Sequence, residues 1–155
     1  PESQLDRFLM KLTIGYPNTI DEKKLLRSGG AHDALEHLEP VLEAQEVRDL
    51  QEQVSAIHMN ESLVDYLMSI VHTTRTHAEA ALGVSTRGAL TYFKACQALA
   101  MVNGRDFVIP EDVKRLAGPV LSHRIVMKDR RLLRGDVTPE QRFIQRIVSE
   151  IPVPR

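Results

Sequence analysis

The sequence has a single cysteine, Cys96, and lacks the features of secreted or membrane-spanning proteins. One thiol excludes an internal disulfide framework and any zinc or iron–sulfur site built from several cysteines, and it fits a reducing compartment, so we predict the cytoplasm. No apolar run approaches the roughly 20 residues of a transmembrane helix, which argues against membrane insertion. Residues 1–4 do not open a signal peptide, and the chain begins without Met, as if cut from a longer protein.

The chain also lacks a net charge of one sign, since 20 Lys+Arg and 21 Asp+Glu give −1 over 155 residues. This balance argues against nucleic acid as a partner, because no overall basic field attracts it. Locally, residues 18–65 hold eleven acidic and four basic side chains, and residues 123–155 hold eight basic and four acidic. Opposite charges suit head-to-tail self-association, although two solvated surfaces are the simpler interpretation.

Sequence motifs of catalysis and of cofactor binding are missing as well. There is no phosphate-binding loop of the Gly-x-x-x-x-Gly-Lys-Ser/Thr type, no Gly-x-Gly-x-x-Gly and no Gly-x-Ser-x-Gly elbow. The six histidines include two pairs spaced by five residues, 32 with 37 and 72 with 77, and this spacing puts each pair on different sides of a helix. We therefore predict no metal site and no stand-alone enzyme.

Hydrophobic periodicity near 3.6 predicts a mainly α protein, with about five helices packed as a small bundle. Asn60 and Ser85 are the predicted N-caps, Pro110 a first helical residue, 103–104 a helix stop and 138–141 a capping box. The predicted apolar helix faces are Val47, Leu50, Val54 and Ile57; Leu63, Tyr66, Leu67, Ile70 and Val71; Leu90, Phe93, Cys96 and Ala100; Val113, Leu116, Ala117, Val120 and Leu121; and Phe143, Ile144, Ile147, Val148 and Ile151.

Two stretches depart from the helical pattern. Partial alternation over residues 9–17 predicts a strand, which has no sheet to join within this chain. We expect a second short pair of extended segments in the stretch that runs from residues 125–127 through 135–136. Without a parent sheet, the first 17 or so residues are expected to be poorly anchored.

One local constellation suits anion binding. Residues 83–88, Gly-Val-Ser-Thr-Arg-Gly, place Arg87 in the first turn of a helix, where free N–H groups and the helix dipole already favour a phosphate. A guanidinium adds a charged fork that matches phosphate oxygens, although an ordinary surface arginine explains Arg87 equally well. Arg7 is a similar case, because it is placed either to form a salt bridge with Asp6 or to reach across an interface.

The order of these segments resembles the C-terminal portion of MoxR-type AAA+ ATPases, over nearly the whole chain. Five segments carry the resemblance in the family's order: Leu5–Phe8 with Ile14–Pro17, Val71–Arg75, Gly83–Gly88, Asn103–Val113 and Val120–Ile125. The resemblance implies a mainly α lid domain over residues 18–155. It also implies that residues 1–17 are a short strand remnant of the α/β ATPase core.

The resemblance also implies roles for individual residues. Arg87 matches the sensor-2 arginine, which reaches the γ-phosphate of ATP in the same subunit, and Ser85 and Thr86 begin the same helix. Arg7 matches an arginine that related ATPases use as a trans finger on the neighbouring subunit's ATP. Arg75 is a further candidate for the nucleotide pocket, although we favour lid packing.

Two departures from the family pattern surround the sensor-2 arginine. The family often has Ala and Pro where this chain has Val84 and Thr86, and losing Pro reduces the pre-organisation of the helix start. Gly88 loosens the first turn further. Neither departure removes Arg87, so the implied role is weakened only slightly.

For the whole protein, the resemblance implies a chaperone-like ATPase that uses ATP and Mg²⁺. It would form a ring, by analogy a hexamer, and would act on a client protein with a von Willebrand factor A domain partner. The phosphate-binding loop and the acidic metal ligands of that family would lie upstream of Pro1, so this chain should neither hydrolyse ATP nor bind it tightly. A stand-alone helical adaptor or DNA-binding module is the alternative, but between residues 85 and 103 only Arg87 and Lys94 are basic.

Overall fold

A computed structural model describes residues 2–29, 37–129 and 137–154, and these form a mainly α-helical protein, as predicted. The chain divides into two compact units, one of Leu12–Gln51 and one that combines Pro1–Lys11 with Glu52–Arg155. The helices in chain order are α1 (Glu2–Leu5), α2 (Thr19–Ser28), α3 (Ala44–Val54), α4 (Glu61–Thr76), α5 (Thr86–Val102), α6 (Pro110–Leu121) and α7 (Pro139–Glu150), with a 3-10 turn at Ser122–Arg124.

The helix ends follow the local chemistry that the sequence predicts. Asn60 accepts the N–H of Ser62 at 3.0 Å, and the α7 capping box joins Thr138 N to Gln141 Oε1 at 2.8 Å and Gln141 N to Thr138 Oγ1 at 3.3 Å. α6 begins at Pro110, as predicted. α5 stops at Asn103, after which Gly104 adopts a φ of +71° that favours glycine.

In the larger unit, α5 packs on α6, α6 on α7, and α7 on α4. Tyr92 fills the centre of this bundle and donates its hydroxyl to the carbonyl of Val113. Burial raises the pKa of Tyr92 and of Cys96 above their ordinary values, so both stay neutral, and Cys96 is a core residue as predicted. The fully buried aliphatic side chains around Tyr92 are Leu67, Ile70, Val71, Val84, Val113, Val120, Leu121, Ile144 and Ile147.

The buried face of α5 matches the predicted one at Cys96 and Ala100 and differs from it at Leu90. Leu90 is 56% exposed, while Ala89, Tyr92, Ala95 and Cys96 face the core. The small side chains on this face let α5 pack close to its neighbours. Tyr92 fills the core volume that the apolar pattern predicts for Leu90. On the predicted apolar face of Val47, Leu50, Val54 and Ile57, Ile57 is buried whereas Val47 and Leu50 are exposed.

The predicted strands are only partly correct. Residues 10–18 carry no helix or strand, so the strand expected at 9–17 is not formed, since its backbone has no sheet to pair with. A short antiparallel sheet does exist, between β1 (Ala80–Leu82) and β2 (Val126–Met127). β2 therefore pairs with the α4–α5 connection, and the other half of the expected pair, which runs to 135–136, falls within 130–136, outside the described residues.

The N-terminal segment is better anchored than the sequence suggests, at least up to Lys11. Lys11 donates its N–H to the carbonyl of Pro119 at 2.9 Å, and residues 6–9 contact Arg124. Beyond this point Ile14 and Tyr16 are almost fully exposed. The assignment of residues 1–17 to an ATPase core stays a prediction.

Candidate functional site

The loop before α5 is fixed against the C-terminal end of α4. A Cβ on Gly83 would lie 2.6 Å from the carbonyl oxygen of Thr74 and 2.6 Å from the Cα of Arg75, so the close approach requires glycine. Val84 donates its N–H to Thr74 Oγ1 at 3.1 Å and accepts a hydrogen bond from Arg75 Nε at 2.7 Å. The position at which α5 begins is therefore set by α4.

Ser85 caps α5 and also joins it to the N-terminal segment. Its Oγ accepts the N–H of Gly88 at 2.9 Å and donates its own hydrogen to the Asp6 carboxylate, whose two oxygens lie at 3.1 and 2.9 Å. Asp6 and Ser85 are 79 residues apart in sequence. This contact brings together the two segments, 5–8 and 83–88, that the sequence analysis selected separately.

Arg124, in the 3-10 turn after α6, is buried beside both segments, with a side chain only 1% exposed. Nε donates to Asp6 Oδ1 at 3.1 Å, and Nη2 donates to the carbonyls of Asp6, at 3.2 Å, and Phe8. Nη1 lies within hydrogen-bond distance of the carbonyls of Leu9, at 3.3 Å, and Val120, and of His123 Nε2 at 2.7 Å. All five N–H donors of this guanidinium are therefore satisfied inside the chain.

Gly88 gives the first turn of α5 its contact with this arginine. A Cβ at Gly88 would lie 2.8 Å from Arg124 Cδ and 2.8 Å from Val84 Cγ1. Gly88 by itself weakens the start of the helix, but packing requires a glycine there. Any larger side chain would displace Arg124 or Val84.

Arg87 and Arg7 differ from Arg124 because both are exposed. Arg87 lies in the first turn of α5, whose free N–H groups and dipole already favour an anion. Burial lowers the pKa of Arg124, the Asp6 carboxylate opposes that shift, and the positive charge of Arg87 lowers the pKa further. The positive charge of Arg87 therefore acts on the buried guanidinium of Arg124.

The predicted site residues are thus partly brought together. Ser85 and Arg75 are engaged within the chain, Ser85 by Gly88 and Asp6 and Arg75 by Val84, whereas Thr86 and Arg87 are exposed at the start of α5. Asp6 forms its salt bridge with Arg124 at 3.1 Å, a residue 118 positions away, and not with Arg7, which was one of the two alternatives for that arginine. Sequence reasoning missed Arg124 because no local pattern marks an arginine that will be buried.

The described part of the chain offers no group of three His, Cys, Asp or Glu side chains arranged to hold a metal ion. Within the same ranges, no helix combines the length and the apolar character that crossing a bilayer demands. An arginine in the first turn of a helix is a combination that suits anion recognition.

This chain is similar in sequence to a known domain family and to known proteins. The AAA lid domain family matches residues 72–147. The uncharacterized protein YeaC of Bacillus subtilis is 37% identical over 154 residues, which cover 99% of this chain and 48% of that protein. The chaperone MoxR1 of Mycobacterium tuberculosis is 32% identical over 164 residues, covering 100% of this chain and 42% of that protein.

The fold has a counterpart among solved structures too. A crystal structure of a Cytophaga hutchinsonii protein assigned as an ATPase superimposes with a TM-score of 0.81 at 25% identity, covering 100% of this chain and 49% of that one. The chain therefore spans about half the length of the relatives that it matches.

Proposed function

We propose that this chain, which belongs to the AAA lid domain family and is the lid portion of a MoxR-family AAA+ ATPase, couples the binding and hydrolysis of ATP to chaperone-like remodelling of protein complexes. One observation carries the proposal: Arg87 is exposed at a capped helix start whose position is fixed by α4 and by the N-terminal segment.

Arg87 takes the role of sensing the γ-phosphate. Phosphoryl transfer is catalysed mainly by positioning and by stabilising charge on the transferred group, and both need a cation held in a fixed place. Thr86 and Arg87 present the first N–H groups of α5 to the same phosphate. Arg75 contributes by holding the Val84 carbonyl, so it supports the loop and does not contact the nucleotide.

Arg7 acts as an arginine finger on ATP. The Asp6–Ser85 contact places Arg7 and Arg87 on segments that touch. The family resemblance assigns Arg87 to the subunit's own ATP and Arg7 to the neighbour's.

The residues present fit phosphate better than a metal. The carboxylate of this site, Asp6, is already held by Arg124 and Ser85, so it has little capacity left for Mg²⁺. We assign Mg²⁺ and the phosphate-binding loop to the ATPase core of the full-length protein. Mg²⁺ there would neutralise charge on the phosphates.

Assembly and partners follow from the same proposal. The full-length protein forms a ring, with a hexamer as the expected state, since a trans-acting arginine needs a neighbouring subunit. It works in the cytoplasm with a von Willebrand factor A domain protein and a client. One of its matched relatives, MoxR1, is described as a chaperone, which supports this role.

The test is ATP turnover by the full-length protein with Arg87→Ala. Turnover should fall by about tenfold or more, because a cation at the transferred phosphate is lost. Lys94→Ala is the matched control, since Lys94 is an exposed cation further along α5, away from its first turn, and its removal should leave turnover unchanged. Undiminished turnover in Arg87→Ala would remove the sensor assignment.

A further inference from the structure

We propose that Arg124 is a positioning residue that holds the Leu5–Phe8 segment against the start of α5, so that Arg7 and Arg87 act on nucleotide as one coupled unit. The inference rests on the proposed function. The sequence motifs assign no role to Arg124. Its proposed role is to hold Arg7 and Arg87 in a fixed position relative to one another.

The hydrogen-bond pattern shows that Arg124 serves the chain and not a ligand. Its five N–H donors are used by acceptors of Asp6, Phe8, Leu9, Val120 and His123, and its side chain is 1% exposed. A guanidinium with no donor left over cannot also bind a phosphate. Its partners are a carboxylate and the backbone carbonyls on both sides of Arg7, so it fixes the backbone from which Arg7 projects.

Arg124 reaches the second arginine through packing. Gly88, which directly follows Arg87, has space for hydrogen only, because a Cβ there would lie 2.8 Å from Arg124 Cδ. Asp6 completes the link, since the same carboxylate accepts from Arg124 Nε and from the Ser85 hydroxyl. A shift of Arg124 therefore moves the backbone beside Arg7 and the turn that carries Arg87 together.

Electrostatic repulsion couples phosphate binding at Arg87 to the arrangement around Arg124. Arg87 and Arg124 are like charges near one another, and the repulsion opposes the buried guanidinium. A phosphate bound at Arg87 would offset the repulsion and favour the closed arrangement around Asp6. Because linkage is reciprocal, an intact arrangement around Arg124 would in turn favour phosphate at Arg87.

The first measurement is hydrogen exchange in the full-length protein with Arg124→Lys, which keeps the charge and loses the fork. Exchange at the Phe8 and Lys11 amides, bonded to the carbonyls of Leu5 and Pro119, should accelerate by about tenfold or more. Arg105→Lys is the control, because Arg105 forms a bidentate ion pair with Asp112 outside this site. Unchanged exchange in folded Arg124→Lys would overturn the proposal.

The second measurement is a double-mutant cycle on ATP turnover with Arg7→Ala and Arg87→Ala. In the wild-type background the combined loss should differ from the product of the single losses by about threefold or more, and in Arg124→Lys the two losses should simply multiply. An equal coupling factor in both backgrounds would overturn the positioning role while leaving both arginines functional. If neither single variant changes turnover, the proposed function fails and the positioning role fails with it.

A second variant guards against misfolding of Arg124→Lys. Gly88→Ala presses on Arg124 from the α5 side, and it should produce the same loss of coupling with Arg124 unchanged. Gly118→Ala is its control, because a Cβ at Gly118 meets no atom within 4 Å. Coupling that survives in folded Gly88→Ala contradicts the proposal.

Discussion

The Ser85 hydroxyl donates to the carboxylate of Asp6, with the two carboxylate oxygens at 3.1 and 2.9 Å. Ser85 is also the N-cap of α5, so one side chain both starts the helix that carries Arg87 and holds the segment that carries Arg7. Two motifs far apart in sequence thereby become one surface.

Gly83→Ala should destabilise the chain by about 1–3 kcal/mol, because the new Cβ would lie 2.6 Å from the backbone of α4 and backbone cannot yield cheaply. Denaturant unfolding measures the change. Gly118→Ala, in the open helical environment of α6, should be neutral or slightly stabilising. Equal effects of the two substitutions would contradict the close approach at Gly83.

Thr74→Val should cost about 1–3 kcal/mol, since it preserves shape and leaves the buried N–H of Val84 without its acceptor. Thr76→Val is the control in the same helix, where an exposed hydroxyl donates only to the carbonyl of His72. The difference between the two unfolding free energies isolates the buried hydrogen bond. A Thr74→Val variant as stable as Thr76→Val would contradict the account.

Stability should decline in mild acid because of His123. Burial lowers its pKa in the folded chain, the carbonyl of Phe8 partly opposes this, and the Arg124 charge lowers it further. A group with a depressed folded pKa binds protons more readily when unfolded, so its contribution is complete above the unfolded value of about 6.5 and is lost as pH falls below it.

His123→Gln should therefore flatten the dependence of the unfolding free energy on pH below about 6.5. His72→Gln, at an exposed position of α4, should leave the dependence as in wild type. Parallel curves for wild type and His123→Gln would count against this assignment.

Arg7→Ala should act across the subunit boundary in rings of the full-length protein. Mixing it with a variant disabled in the phosphate-binding loop of the core combines two inactive subunits, and a trans finger predicts that about a quarter of wild-type turnover returns at equal amounts. No recovered turnover would contradict a trans role. The same mixture made with Arg87→Ala tests whether both arginines serve the same nucleotide, in which case the two behave alike.

The sequence predicts the helices well because their signals are local. The caps at Asn60, Ser85 and Thr138 and the stop at 103–104 depend on residues a few positions apart, and all four are confirmed. The buried face of α5 is harder to predict from sequence, because it depends on small residues that let neighbouring helices pack closely. The strand at 9–17 failed because a strand exists only with a partner.

The support of the site depends on contacts between distant segments, which local patterns do not contain. Arg124 contacts residues 115 to 118 positions away, and nothing in its neighbourhood indicates that it will be buried. Gly88 is a similar case, since its need for glycine comes from contact with Arg124 and Val84 and not from the helix. The family resemblance implies roles for the exposed Arg7 and Arg87 but none for the buried Arg124 beside them.

The most direct test of the central claim is the affinity of the full-length protein for ATP and for ADP, with and without Arg87→Ala. If Arg87 contacts the γ-phosphate, the substitution should weaken ATP binding by about tenfold and leave ADP binding nearly unchanged, because a charge-assisted contact is lost from one nucleotide only. An equal effect on both nucleotides, or on neither, would contradict a lid that senses the γ-phosphate through Arg87.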